Sequence, residues 1–283
     1  MELKLDSINR RKVKYCPCRK SNADGKFVPF KNAEKFGYCH SCDKLMKPDN
    51  KPAIDWAPIK MERKPEPKPE YIDWEYYKPL MYDYHLNDNN RFVDFLCRVL
   101  GVQETHYILQ DYLLGSGSNF TVIFPFIDHN KNIVNLKTMD YDRMTGKRGS
   151  LIFYDKRKPR HKMCFFGGHL VDSDKYKHKP IAIVESEKTA CLMSVFNPNY
   201  LWLACGGSNG LSSHKFDYIK YREIHLFPDK GKYKLWTEKM ERLEQLHPTN
   251  IFKISKECEY WFEAGQIGKG DDIADFYLRL RLS

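Results

Sequence analysis

Acidic side chains stand at the ends of two apolar runs and before a third, amphipathic segment. Glu185 comes directly after the apolar run 181–184, and Asp229 ends a second apolar run further along the chain. Asp271 and Asp272 stand just before the final amphipathic segment. In an open parallel sheet, the crevice lies beyond the carboxyl ends of the strands, which is where such acids would meet. Because carboxylate oxygens are the ligands that Mg²⁺ prefers, this placement predicts a magnesium site.

Two pairs of cysteines near the amino terminus have the layout of a zinc ribbon, although the first pair is spaced Cys-x-Cys rather than the commoner Cys-x-x-Cys. Cys16 and Cys18 form the first pair, and Cys39 and Cys42 form the second. The residues between the pairs suit a short β excursion that brings the four thiolates together in a tetrahedral site. A segment this small cannot hold a core without metal, so the sequence predicts a structural zinc ion. Two alternatives stay open, in which His40 replaces one cysteine or the thiols hold no metal.

The composition favours a soluble protein with a polyanionic partner. The 283 residues carry a formal net charge of +10, which points to nucleic acid before any other partner. No run approaches the roughly 20 apolar residues of a membrane span, so no membrane partner is expected. Nine cysteines without a secretory leader indicate the reducing cytoplasm rather than a disulfide framework.

The acids at 185, 229 and 271–272 must be positioned by secondary structure. The last third of the chain alternates between segments with strand patterns and segments with helix patterns. Short apolar runs predict strands at 181–184, 200–204, 224–227 and 250–254. Amphipathic spacing predicts helices at 187–196, 213–221, 232–246 and 271–281. This alternation predicts a mostly parallel sheet with helices on both faces.

The segments ahead of this sheet have a different character. Residues 49–72 are rich in proline, lysine and glutamate and are predicted to form an extended linker. A helix is predicted over 90–100, and strands are predicted over 120–127 and 133–141 on either side of a tight turn.

Four motifs in the last third resemble the TOPRIM domain of primases and topoisomerases, with the nearest likeness to the primase-like branch of phages, plasmids and integrative elements. In chain order they read IVESEKTA, LACGGSNG, LFPDKGK and GKGDDIADF, and the likeness covers roughly residues 178–283. Glu185 matches the glutamate of the family's first motif, and Asp229 matches the first aspartate of its Asp-x-Asp pair. Gly231 stands where the second aspartate is usual. Asp271 or Asp272 matches the third acid.

The stretch FPFIDHNKNIVNLKTMDYDRMTGKR resembles the β-rich subdomain that precedes TOPRIM in primase catalytic cores. In that family, basic residues line the groove that holds template and nucleotide phosphates. The resemblance implies such a role for Lys137, Arg143, Lys147 and Arg148, and for Lys188 beside the first acid. The alternative for any one of these side chains is a solvated surface charge.

Together these observations predict an α/β protein made of four segments. A zinc ribbon is expected over 1–48 and the linker over 49–72. A small, basic α+β subdomain of a primase-like catalytic core is expected over 73–177. A TOPRIM domain with a Rossmann-like, mostly parallel sheet is expected over 178–283.

Three functions fit this organisation. The first is a primase-like nucleotidyltransferase that synthesises short primers on single-stranded DNA, with structural Zn²⁺ and catalytic Mg²⁺ or Mn²⁺. The resemblance implies single-stranded DNA or RNA, nucleoside triphosphates and a separate replicative helicase as its partners, and replication or transfer of a mobile element as its setting. The second is a TOPRIM metal-dependent nuclease. The third is a non-catalytic protein that binds single-stranded nucleic acid.

Overall fold

The computed structural model describes residues 4–17, 19–31, 33–41, 44–47, 70–82, 90–154, 163–207 and 209–282. Contacts divide the chain into two compact units, Met1–Glu66 and Pro67–Ser283. The division falls in the predicted linker 49–72, of which only residues 70–72 are described.

The first unit contains an antiparallel sheet of strands β1 (Phe27–Phe30), β2 (Ala33–Cys39) and β3 (Lys44–Met46), in the order β1-β2-β3. Its small core is a buried cluster of Cys16, Phe27 and Cys39. The buried Asn22 side chain ties the loops to this sheet, because it donates to the Arg10 carbonyl at 2.7 Å and accepts from the Phe27 N–H at 2.6 Å. The described part of the first unit thus places a cysteine of each predicted pair in one core.

The second unit begins with helices and an antiparallel sheet. The helices are α1 (Trp74–Tyr77), α2 (Arg91–Leu100) and α3 (Val102–Tyr112). The strands are β4 (Gly115–Ser116), β5 (Val122–Ile127), β6 (Ile133–Tyr141) and β7 (Arg148–Tyr154), in the order β4-β5-β6-β7. The Asn90 side chain caps α2 by accepting from the N–H groups of Phe92 and Val93. The predicted helix over 90–100 is therefore present.

A parallel four-stranded sheet follows, in the order β11-β10-β8-β9. Its strands are β8 (Ile181–Val184), β9 (Leu201–Ala204), β10 (Glu223–Leu226) and β11 (Ile251–Ile254). The accompanying helices are α4 (Glu187–Phe196), α5 (Tyr233–Leu246), α6 (Glu257–Glu263) and α7 (Ile273–Leu282). Every residue of β8 and β9 is buried, as expected for strands covered on both faces.

Two details of this half differ from the sequence-based prediction. The prediction of a helix over 213–221 is wrong, because the chain makes only a short 3₁₀ turn over Ser213–Phe216. The Asn250 side chain donates to the Ile219 carbonyl at 2.8 Å and accepts from the Arg222 N–H at 3.1 Å, which holds the backbone there in a turn. Helix α6 was not predicted at all.

Among the residues that the structure describes, none of the helices is long and apolar enough to span a bilayer.

Candidate active site

The carboxyl ends of the parallel strands bring acids from distant parts of the chain into one cleft. Glu185 directly follows β8, Asp229 follows β10, and Asp272 directly precedes α7. These three side chains and Asp275 line a cleft of about 350 Å³. Glu185, Asp229 and Asp272 therefore share the lining of one cleft, and their role as metal ligands stays a prediction.

The alternative between the two adjacent aspartates is resolved by their contacts. The Asp271 carboxylate accepts a hydrogen bond from the Gly268 N–H at 2.6 Å and another from the Arg279 guanidinium. It closes the loop ahead of α7 and does not line the cleft. Asp272 lines the cleft, so it is the better candidate for the site.

Asp272 and Asp275 hold each other at the start of α7. The Asp272 N–H donates to Oδ2 of Asp275 at 3.0 Å, and the Asp275 N–H donates to Oδ1 of Asp272 at 3.1 Å. This reciprocal arrangement is a capping box with two aspartates. The other oxygen of Asp272, Oδ2, accepts a hydrogen bond from the hydroxyl of Thr189 on α4.

The acids of the cleft disfavour each other's ionisation. Burial raises the pKa of Asp229 to about 9, with further contributions from the nearby carboxyls of Asp272, Glu185 and Asp275. Burial also raises the pKa of Glu185, which Lys232 and Lys239 partly oppose. A bound cation would oppose both effects and favour the ionised carboxylates.

The donor set of the cleft suits a hard cation. Its acidic side chains offer carboxylate oxygens, which are ligands that Mg²⁺ and Mn²⁺ prefer. Glu185 is 8% exposed, and its Oε1 is a buried oxygen with no hydrogen-bond partner among the described residues. Within the described ranges, no group of three or more His, Cys, Asp or Glu side chains is already arranged to hold an ion.

Cationic side chains from the antiparallel sheet and from α4 face these acids. Lys137 on β6 lines the cleft, but its ammonium makes a buried ion pair with Glu187, with contacts of 2.8 and 2.9 Å. Lys188 lies 3.9 Å from Oδ1 of Asp275. Arg148, at the start of β7, also lines the cleft. Lys137 therefore forms an ion pair with Glu187. This role differs from the phosphate contact that the resemblance implied.

A basic groove adjoins the acidic cleft. Its volume is about 480 Å³, and its basic lining residues are Arg91, Arg143, Lys147 and Arg148. Tyr141 and Arg148 line both cavities, so the two are neighbours. Arg143 is balanced by Asp94 at 3.5 Å, with both side chains about half exposed. The expected basic residues other than Lys137 and Lys188 therefore lie along this groove.

A glycine turn after β9 completes the wall of the cleft. Gly206 and Gly207 adopt φ values of 85° and 138°, which other residues rarely adopt. The Gly206 N–H donates to the Glu185 carbonyl at 3.0 Å, which ties the turn to the first acid. The buried ammonium of Lys215 donates to the Cys205 carbonyl at 2.9 Å and so anchors the start of the turn.

The predicted zinc ligands are only partly described. Cys16 and Cys39 are buried in the core of the first unit. Cys18 and Cys42 lie outside the described residues. Zinc binding by the four cysteines remains a prediction.

Sequence reasoning missed Glu187 and Thr189. Glu187 is two residues after Glu185, and the pattern Glu-x-Glu at the end of a strand was an available signal. Thr189 offered no local signal, because its partner Asp272 is 83 residues away.

Comparisons with protein families and with curated proteins assign no function to this chain. A family model described as a domain of unknown function (DUF6371) matches residues 90–230. A search of curated proteins finds no match.

Similar solved structures are DNA primase catalytic domains. The primase fragment of the bacteriophage T7 primase-helicase protein is 16% identical, with 96% of this chain and 99% of that chain covered and a TM-score of 0.43. The RNA polymerase domain of Mycobacterium tuberculosis primase DnaG is 14% identical, with coverage of 72% and 71% and a TM-score of 0.38. A DNA primase domain from Pseudomonas aeruginosa is 15% identical, with coverage of 66% and 61% and a TM-score of 0.33. Because these likenesses are distant, the function proposed below rests on the residues of the site.

Proposed function

We propose that this protein is a primase-like nucleotidyltransferase that synthesises short primers on single-stranded DNA from nucleoside triphosphates. The observation that carries the proposal is the junction of two cavities. An acidic cleft at the carboxyl edge of the parallel sheet and a basic groove share Tyr141 and Arg148 in their walls. Such a junction suits a reaction in which a polyanionic strand and a triphosphate meet at a cation.

The side chains divide the work between the two cavities. Glu185, Asp229 and Asp272 would hold a divalent ion, which would relieve the repulsion by which the carboxyls of Asp272 and Glu185 disfavour the ionisation of Asp229. When bound, the ion would reduce the charge of an incoming triphosphate and activate a 3′-hydroxyl. Arg148, which lines both cavities, would contact a phosphate of the nucleotide or of the strand. Arg143 and Lys147 would hold the template backbone along the groove.

A second candidate is a non-catalytic protein that binds single-stranded nucleic acid. Gly231 in place of an acid favours it, as does the lack, in the described part of the chain, of three acids already arranged around one point. The basic groove would serve this function without any contribution from the acids.

Primer synthesis on single-stranded DNA separates the candidates. The full chain is incubated with a template, labelled ribonucleotides and either Mg²⁺ or Mn²⁺, and the products are resolved by length. We expect short products from the natural protein and none from Glu185→Gln. A matched control, Glu238→Gln, neutralises an exposed acid on α5 and should retain synthesis.

The outcomes differ for each function. Strand binding without synthesis under either metal would favour the non-catalytic candidate. Shortening of the template, abolished by Glu185→Gln, would indicate a nuclease. Full synthesis by Glu185→Gln would remove the acidic cleft from the mechanism.

A further inference from the structure

Thr189 makes an unusual contact for a threonine in the first turn of a helix. Its side chain is completely buried, and its hydroxyl donates to Oδ2 of Asp272. A threonine in a helix often bonds its hydroxyl to the carbonyl four residues earlier. Here that carbonyl belongs to Glu185 and accepts the Gly206 N–H at 3.0 Å. The Thr189 hydroxyl instead joins α4 to the start of α7.

This contact fixes the orientation of the Asp272 carboxylate. Asp272 is 8% exposed, and its Oδ1 accepts from the Asp275 N–H at 3.1 Å. One donor on each oxygen holds the plane of the carboxylate, whereas a single donor would allow rotation. The Asp275 donor is backbone and is fixed by α7, so the Thr189 hydroxyl is the part of this arrangement that a side-chain change can remove.

We propose that Thr189 is a positioning residue that orients Asp272 toward a divalent cation in the cleft. This inference rests on the proposed function, since it requires a cation at Glu185, Asp229 and Asp272. A donor hydrogen-bonded to a ligating carboxylate orients it, and loss of such a donor typically weakens metal binding by about 10–100-fold. Thr189 is four residues after Glu185 in the sequence. The same short segment therefore supplies Glu185 and orients Asp272.

The substitution Thr189→Val tests this role, because valine keeps the branched shape and cannot donate a hydrogen bond. Thr189→Ser is the matched control, which keeps the donor and loses a methyl group. Binding of Mn²⁺ to the full chain is followed by electron paramagnetic resonance of the free ion. Parallel titration of Glu185→Gln identifies Mn²⁺ bound elsewhere on the protein. We expect Thr189→Val to bind Mn²⁺ about 10–100-fold more weakly and Thr189→Ser to bind within a few-fold of the natural protein.

A second readout follows the metal dependence of primer synthesis. Thr189→Val should need a correspondingly higher Mn²⁺ concentration for half-maximal rate, with rescue by Thr189→Ser. If valine at this position prevents folding, Thr189→Ala and Thr189→Ser are compared instead, since these two differ only in the hydroxyl group.

The outcomes separate this inference from the proposed function. If the natural protein and Glu185→Gln bind Mn²⁺ equally, the cleft is not a metal site, and both proposals fail. If Glu185→Gln weakens binding but Thr189→Val does not, the metal site stands and the role of Thr189 is overturned. Equal weakening by valine and serine would also overturn it, because packing rather than the donor would then be the cause.

Discussion

Replacement of Lys137 with methionine is expected to destabilise the Pro67–Ser283 unit strongly. The Lys137 ammonium contacts both oxygens of Glu187, and the two side chains are 8% and 2% exposed. The pair joins β6 of the antiparallel sheet to the first turn of α4 beside the parallel sheet. Methionine fills a similar volume but leaves the Glu187 carboxylate buried without its cation.

The expected loss follows from the burial of the pair. Removal of one partner of a buried ion pair typically costs about 3–5 kcal/mol, because the other charge stays in a medium of low polarity. Total stabilities of about 5–15 kcal/mol make this a large fraction. With a urea m-value of about 1–3 kcal/mol/M, the unfolding midpoint should fall by about 1 M or more.

Urea unfolding, followed by circular dichroism, compares this variant with two controls. The double variant Lys137→Met with Glu187→Met removes both charges, and it should recover most of the loss, since apolar replacement of a buried pair is often neutral or stabilising. Lys177→Met removes an exposed partner of Asp174 and should cost less than about 1 kcal/mol. A loss from Lys137→Met as small as that from Lys177→Met would refute the reasoning, as would a double variant no more stable than the single one.

Three further predictions concern the cleft, the groove and the ribbon. Because the pKa of Asp229 is raised to about 9, the folded state holds this proton more tightly than the unfolded state, so stability falls as pH rises from about 4 to about 9. Asp229→Asn should therefore gain in melting temperature over the natural protein as pH rises, and a constant difference would contradict this. Arg148→Gln should weaken binding to single-stranded DNA and reduce the slope of its salt dependence, measured by fluorescence anisotropy, whereas the exposed control Lys220→Gln should change neither. Protein purified without chelator should contain one zinc ion, lost when Cys16 or Cys39 becomes serine, and elemental analysis that finds no zinc would contradict the ribbon.

The strand ends of the parallel sheet could be predicted from the sequence because the signals are local. The apolar run before Glu185 is short, rich in branched residues and followed at once by the acid, and the run 223–228 likewise ends at Asp229. A parallel arrangement then places both acids at the same edge, and the structure places both in one cleft. Local pattern and sheet geometry were sufficient for this part of the site.

Other parts of the site depend on contacts between segments that are distant in the sequence. The sequence does not distinguish Asp271 from Asp272, because the distinction depends on contacts with distant residues. Arg279 donates to the Asp271 carboxylate, and Thr189 donates to the Asp272 carboxylate. The sequence likewise presents Lys137 as one lysine among many in a basic chain. Only the structure shows that this ammonium, on β6, is buried against Glu187 at the start of α4.

Gly231 shows why a departure from a family pattern is more than a missing side chain. Its φ of 84° is one that a β-carbon makes unfavourable, although a β-carbon there would meet no atom within 4 Å. Its N–H donates to Oε1 of Glu259 at 3.0 Å, and the neighbouring Lys230 pairs with the same carboxylate. The loop after Asp229 is therefore held by an acid of α6, in a backbone conformation that suits glycine. An aspartate at 231 would have to adopt this conformation at some cost or displace the contact with Glu259, so the proposed metal site relies on Glu185, Asp229 and Asp272 without a second acid at 231.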